Sequence, residues 1–449
     1  MFEFVKRFVK RVIGLFSTTE IKNVFNIDIA LTEEMQRHIL LWTEMYCGNA
    51  PWLNEDVVSL RLEQGIVREF SNITLTEMTT NISNKKLAEI FNKAIRNINE
   101  HLQSGLATGA LIIKPLGGDN VQYISQDRFI PVEYDSTQRL IKVIFPDIRQ
   151  VGENEYYIRL EYHSISKENG LTIMNKAFHS NSVDTLGKEC PLSVVEEWAK
   201  LPEEITYPEM KRPAFGYYRN PVANTIDGSY AGISIFESAV SAICCADKQF
   251  GRLEWEFESG ERAIHVDESA LKFNDEGKFQ TNRTFERLYR GFNIDSGNGD
   301  LFSDYTPELR QEDFSKGLDE YKRLIEFQTC LSFGDISNPQ SVEKTAQEVR
   351  AAKKRKYNMV NAIQSNLRNC LDDLCYALAF YNAMTKSGYE FTCNFKDSIL
   401  TDEETERKQD LQDVAIGAMP LWEYRVKWYS EDEKTARKMT QDSRVDVME

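Results

Sequence analysis

Four consecutive cations, Lys353, Lys354, Arg355 and Lys356, stand in a chain whose formal net charge is −16. A run of this kind pairs with phosphates or carboxylates, and each stable pair with a nucleic-acid phosphate releases counterions. Lys344 and Arg350 extend it toward the N-terminus. Ahead of it lies "LSFGDISNPQ", in which Gly334, Asn338 and Pro339 are turn formers and Phe333, Asp335, Ile336, Ser337 and Gln340 fill the spaces. The expectation is a loop over 333–340 that opens into a helix, with the basic block close behind. The block then has two uses. It is a solvated helix face balanced by Glu343 and Glu348, or it stands where a polyanion or a neighbour's carboxylates pass.

Other chemistry is hard to find. The chain contains no G-x-x-x-x-G-K-[ST] and no G-x-G-x-x-G, so no phosphate cradle is expected. H-E-x-x-H and G-x-S-x-G are missing as well. The histidines, His38, His101, His163, His179 and His265, are scattered without metal-ligand spacing. "DSGNGDLFSD" at 295–304 lacks the third ligand position and the distal Glu of a calcium loop, and reads as a hairpin. None of the eight cysteines forms a C-x-x-C pair, so reduced thiols are expected. The chain is expected not to be an enzyme, and no cofactor, metal or small-molecule substrate is expected.

The elements that must hold the block follow from hydrophobic period. With 449 residues, 41% of them hydrophobic, the chain can build two or three cored domains. Thr32 caps a helix bearing Met35, Ile39, Leu40 and Trp42, and a second helix runs over 85–102. "ALIIKPL", "VQYIS", "RFIPVEY", "LIKVIFP", "YYIRLEYHSI" and "LTIMNKAF" then read as strands of one antiparallel sheet. Residues 200–232 carry four prolines and read as an extended arm. Ser234 with Glu237 forms a capping box for a helix to about 250. A small β-rich module over 254–306 ("RAIHVD", "LKFND", "RLYRGFNI") and a helix over 311–331 come next.

The longest helix spans 341–386, with no Pro or Gly inside it. Val360, Ile363, Leu367, Leu371, Leu374, Leu378 and Tyr381 form an apolar stripe on its far half, which should be buried. Its near half offers only Val342, Ala346, Val349 and Ala352, and that half carries the basic block. Thr401 with Glu404, Ser430 with Glu433, and Pro420 announce three terminal helices. At the other end, "MFEFVKRFVKRVIGLF" mixes Phe and Val with Lys and Arg at helical spacing. It is too charged for a signal peptide and reads as an amphipathic helix that docks on the protein, on a neighbour, or on a membrane. No apolar run is long enough to span a bilayer.

In order, "GALIIKPLGGDNVQYISQDRFIPVEYD", "GISIFESAVSAICCADKQF", the β-rich segment, "LSFGDISNPQSVEKTAQEVRAAKKRKY" and "NFKDSILTDEETERKQDLQDVAIGAMP" resemble portal proteins of tailed double-stranded-DNA bacteriophages, of the type in long-tailed phages of Gram-positive hosts. The resemblance covers nearly the whole chain and rests on the collinear series, including "TAQEV" at 345–349. One departure is "SFGDISNP", where relatives often have a glycine-proline turn.

The resemblance implies an α+β portal fold: wing 1–233, stem helix 234–253, clip 254–310, stem helix 311–331, tunnel loop 332–341, long helix and wing 342–396, and crown 397–449. It implies a ring, usually of twelve subunits, at one capsid vertex, assembled in the host cytoplasm. Double-stranded DNA would pass through it, and it would hydrolyse no ATP itself. Terminase large subunit, major capsid and scaffolding proteins and a head-completion adaptor would be its partners. Its channel residues would be Phe333 to Gln340. The competing classes are a peripheral membrane protein anchored by the N-terminal basic helix and a metal-dependent nucleic-acid enzyme, for which no carboxylate cluster stands out in the sequence.

Overall fold

The computed structural model describes residues 18–152, 154–267, 289–292, 302–339, 346–385, 388–395, 403–429 and 431–445. Helices α1 (Thr18–Phe25), α2 (Glu33–Cys47) and α3 (Leu62–Thr76) lead to strand β1 (Met78–Ile82), then α4 (Lys85–Ala94) and α5 (Ile98–Thr108). Strands β2 (Ala110–Gly117), β3 (Asn120–Ser125), β4 (Ile130–Tyr134), β5 (Leu140–Gly152) and β6 (Glu155–Ser166) follow. Strands β7 (Gly170–Ser180), β8 (Lys188–Cys190), β9 (Glu204–Tyr207) and β10 (Gly216–Arg219) continue the series. Next come helix α6 (Val240–Ser259), strands β11 (Ala263–Asp267), β12 (Tyr289–Phe292) and β13 (Phe302–Tyr305), and helix α7 (Gln311–Gln328). Helix α8 (Ala346–Tyr381), strand β14 (Phe391–Phe395) and helices α9 (Glu403–Ala415), α10 (Leu421–Tyr429) and α11 (Glu433–Val445) complete the order. The class is α+β, as the change of hydrophobic period requires.

The strand-rich stretch makes two sheets instead of the single one expected. A three-stranded sheet has the order β10-β2-β3, and a six-stranded antiparallel path runs β4-β5-β6-β7-β8, with β9 beside β7. A one-turn helix at Gln126–Arg128, with Gln126 and Asp127 buried, separates β3 from β4. Strand β2 is covered on both faces. Leu111 and Ile113 enter the helical core, while Ala110 and Ile112 pack with Phe129, Val143 and Phe145 between the sheets. Alternation along a strand requires this division. On β6, Ile158, Leu160 and Tyr162 pack with Ile21 of α1, which leaves Arg159, Glu161 and His163 on the opposite face.

Several expected elements change at their edges. The helix over 85–102 breaks at Ile95, and Ile98 N–H closes a turn to the Ile95 carbonyl. The break turns Ile98, Leu102 and Leu106 into the core that already holds Leu87 and Phe91. The arm over 200–232 is not merely a connector, because its β10 completes the small sheet under α8. There Gly216 is required: a Cβ would lie 2.4 Å from the Cys370 carbonyl oxygen. The capping box of Ser234 and Glu237 does not form. Helix α6 starts at Val240 after a one-turn helix, and the Glu237 carboxylate accepts the Trp42 indole N–H instead.

Helices α6 and α7 pack against each other and hold the small sheet β12-β11-β13 beyond them. Its β11–β12 pair is parallel, and Arg310 closes the base on Glu256 at 2.8 Å. The expected strand "LKFND" and most of 295–304 lie outside the described residues. The amphipathic N-terminal segment, at 1–17, does too.

Helix α8 is about 54 Å long at 1.5 Å per residue. Val360, Ile363, Leu367, Leu371, Leu374 and Leu378 are all fully buried. Each such side chain contributes roughly 1.5–3 kcal/mol relative to exposure. Tyr381, placed in the same stripe, is 36% exposed at the end of the helix, where it meets Tyr207 and Phe380 edge-on. Three terminal helices are present, as the capping residues indicate. Pro420 leads α10, and Asp432 caps α11 by accepting the Thr435 N–H at 3.2 Å. Thr401 and Ser430 lie outside the described residues.

Candidate functional site

Helix α7 hands its chain to the loop through Cys330, whose φ of +62° is the left-handed turn that commonly ends helices. Gly334 takes φ +94°, a conformation that glycine adopts without strain. Such a loop exposes several backbone N–H groups on one side, and Glu326 of α7 collects them. Its Oε1 accepts from Gly334 N at 3.0 Å, Ile336 N at 2.7 Å and Ser337 N at 2.8 Å. Its Oε2 accepts from Ser337 Oγ at 2.8 Å. Glu326 has no exposed surface, and these four bonds satisfy a buried carboxylate that would otherwise be strongly unfavourable. Two turns earlier, Asp319 accepts the Asn338 N–H at 2.7 Å. The loop is thus built onto α7.

Its attachment to α8 is different in kind. Lys356 is 7% exposed and its ammonium reaches Asp335 Oδ2 at 2.9 Å and Glu69 Oε1 of α3 at 2.8 Å. Burial pulls the Lys356 pKa down, but its hydrogen bonds to Glu69 and Asp335 outweigh that and hold it above its ordinary value. Arg355 lies over two rings, Phe327 of α7 at 5.2 Å and Phe333 of the loop at 5.5 Å. Its Nε and Nη2 are buried and donate to no acceptor among the described residues. Lys353 and Lys354 are exposed and form no ion pair with any described residue.

The structure therefore divides the basic block. Lys353 and Lys354 face solvent, Arg355 is stacked, and Lys356 is spent on carboxylates of its own chain. Among the loop residues, Ser337 is buried at 3% exposure, Ile336 packs against the main core, and Asn338 and Pro339 are exposed. Gln340 and Lys344 lie outside the described residues; Arg350 is placed on α8 by its backbone alone. Glu326 and Glu69, the two carboxylates that organise the site, were not singled out by the sequence. Nothing in the pattern marks them among seventy acidic side chains.

A second buried charge cluster sits between the two sheets. Lys114 of β2 meets Glu161 of β6 at 2.6 Å, and Glu161 also takes His163 at 2.7 Å and Arg159 at 3.1 Å. Burial pushes Glu161 up, but Lys114, His163 and Arg159 together hold it well below the ordinary carboxylate range. His163 is pulled down by its own burial. Lys114, Arg159 and Glu161 line a cleft of about 960 Å³ with Trp198 at its wall. Every charge in the cluster has a partner, so it reads as a brace between the sheets.

Among the described residues no group of three or more His, Cys, Asp or Glu is placed to hold a metal ion, and no helix is long and apolar enough to cross a membrane. What the loop site can do chemically is present cations beside a rigid loop. No protein-family model matches this chain, and no curated protein matches it either.

Proposed function

We propose that this chain is the portal protein of a tailed double-stranded-DNA phage, forming a ring at one capsid vertex through which the genome enters and leaves. One observation carries the reading. A β-module stands out on two packed helices, α6 and α7, and the second of them runs straight into a braced loop and then a long helix whose near end shows exposed lysines. In this reading α6 and α7 are the stem, β11 to β13 belong to the clip, residues 332–341 are the tunnel loop and the terminal helices are the crown.

Charge supports the role. A conduit must touch DNA without holding it, and a wall rich in cations would be adhesive. Every copy brings a net charge of −16, so a ring repels a duplex over about a Debye length, about 8 Å at physiological salt. Lys353 and Lys354 are then local attractions in a repelling wall, which centre a duplex instead of binding it. Terminase would dock on the ring and supply the work of packaging, and a head-completion adaptor would take its place afterwards. Capsid and scaffolding proteins would surround it at the vertex. The test is genetic: heads assembled without this chain should stay empty of DNA, and DNA-filled heads in its absence contradict the proposal.

A further inference from the structure

The loop's two attachments are unequal. Five hydrogen bonds tie it to α7, four to Glu326 and one to Asp319, whereas α8 holds it by the Lys356–Asp335 pair and the Arg355–Phe333 stack. If the two helices separate at this joint, the loop leaves with α7. Asp335 goes with it, and Lys356 loses one of its two carboxylates. The other, on Glu69, has a side chain 43% exposed and can turn to water. Lys356 stands three residues from Lys353, so on a helix the two are neighbours on one face.

We propose that Lys356 is a cryptic phosphate contact, guarded by Asp335 of the loop and Glu69 of α3. With the loop seated, α8 offers a polyanion Lys353 and Lys354 only. With the loop lifted, phosphate oxygens of duplex DNA replace the two carboxylates, and Lys356 joins Lys353. The exchange conserves ion pairing, since an ammonium held by two carboxylate oxygens is handed to phosphodiester oxygens. The loop then sets how firmly the helix grips passing DNA. This rests on the reading that the basic run meets duplex DNA.

The experiment is the salt dependence of binding to a short duplex DNA, on the full chain. Asp335→Asn with Glu69→Gln strips the guard and forces the buried ammonium outward. The slope of log Kd against log salt should steepen by about 0.9 for each subunit engaged. Adding Lys356→Met to that variant should return the slope to that of the unaltered chain. Lys356→Met alone should leave it unchanged, because the guarded lysine touches no phosphate. An unchanged slope in the guard variant, or a shallower slope in Lys356→Met alone, overturns the proposal.

A second readout does not depend on the variants folding alike. In the unaltered chain, free of DNA, Lys356 should acetylate more slowly than Lys353 and Lys354, followed by mass spectrometry; equal rates overturn the guard. Native mass, measured on the same samples, reports ring formation separately, so a failure of the portal reading is distinguishable from a failure of the guard.

Discussion

Two lysines in this protein are buried to nearly the same degree, Lys114 at 6% and Lys356 at 7% exposure, and each is paired with carboxylate. Their surroundings differ. Lys114 spans two sheets, and its partner Glu161 is itself only 10% exposed and shared with Arg159 and His163. Lys356 joins a helix to a loop and to α3, and its partners keep side-chain exposures of 22% and 43%. The same ion pair is a brace in the first place and a latch in the second. What decides is whether the carboxylate can reach water once the lysine is gone.

The largest effect should come from Lys114→Met, which leaves Glu161 inside the sheet interface without its nearest cation. Breaking a buried pair in this way costs about 3–5 kcal/mol. Lys356→Met should cost less, about 1–2 kcal/mol, because Glu69 and Asp335 can be rehydrated. Urea unfolding of both variants checks the order; equal losses would end the distinction between brace and latch.

Glu326→Ala sharpens the latch side. It removes the acceptor of three backbone N–H groups and a hydroxyl, at about 2–3 kcal/mol for the groups left unsatisfied. The amides of Gly334, Ile336 and Ser337 should then exchange with solvent much faster, while those of β6 do not change. Slow exchange in the variant would mean that something other than Glu326 builds the loop.

The last effect is in pH, and here the sign distinguishes two carboxyls. Glu63 of α3 is held up at about 7 against an ordinary 4.5, first by burial and further by Asp247, with Arg61 opposing. The folded chain therefore binds this proton more tightly than the unfolded chain, and stability from Glu63 grows as pH falls from above 7 toward 4.5. Across that window it amounts to at most about 3 kcal/mol. Glu161 does the reverse, since its pKa is lowered: its contribution is present above its ordinary 4.5 and disappears only at more acid pH. Glu63→Gln should flatten the stability profile between pH 5 and 8 and leave its acid limb in place. A flattened acid limb would assign the titration to the wrong carboxyl.

Much of the fold was legible because hydrophobic period is local. The strands from "ALIIKPL" to "LTIMNKAF" fall on β2 to β7, and the stripe from Val360 to Leu378 is the buried part of α8. Pairing across the chain was not legible. Nothing local says that β10 returns from the arm to complete the small sheet, or that Glu237 answers Trp42 across 195 residues instead of capping its own helix. The site followed the same division. The loop and the basic run stand out by composition, whereas the sorting of four adjacent cations into two exposed, one stacked and one buried depends on Glu69, Phe327 and Asp335. Those partners are set by tertiary packing.

The central claim is that this chain works as a ring. Native mass of the purified full chain, measured over a range of salt, tests it most directly. The account predicts one closed species of about twelve copies. A monomer or dimer under every salt and assembly condition would contradict it.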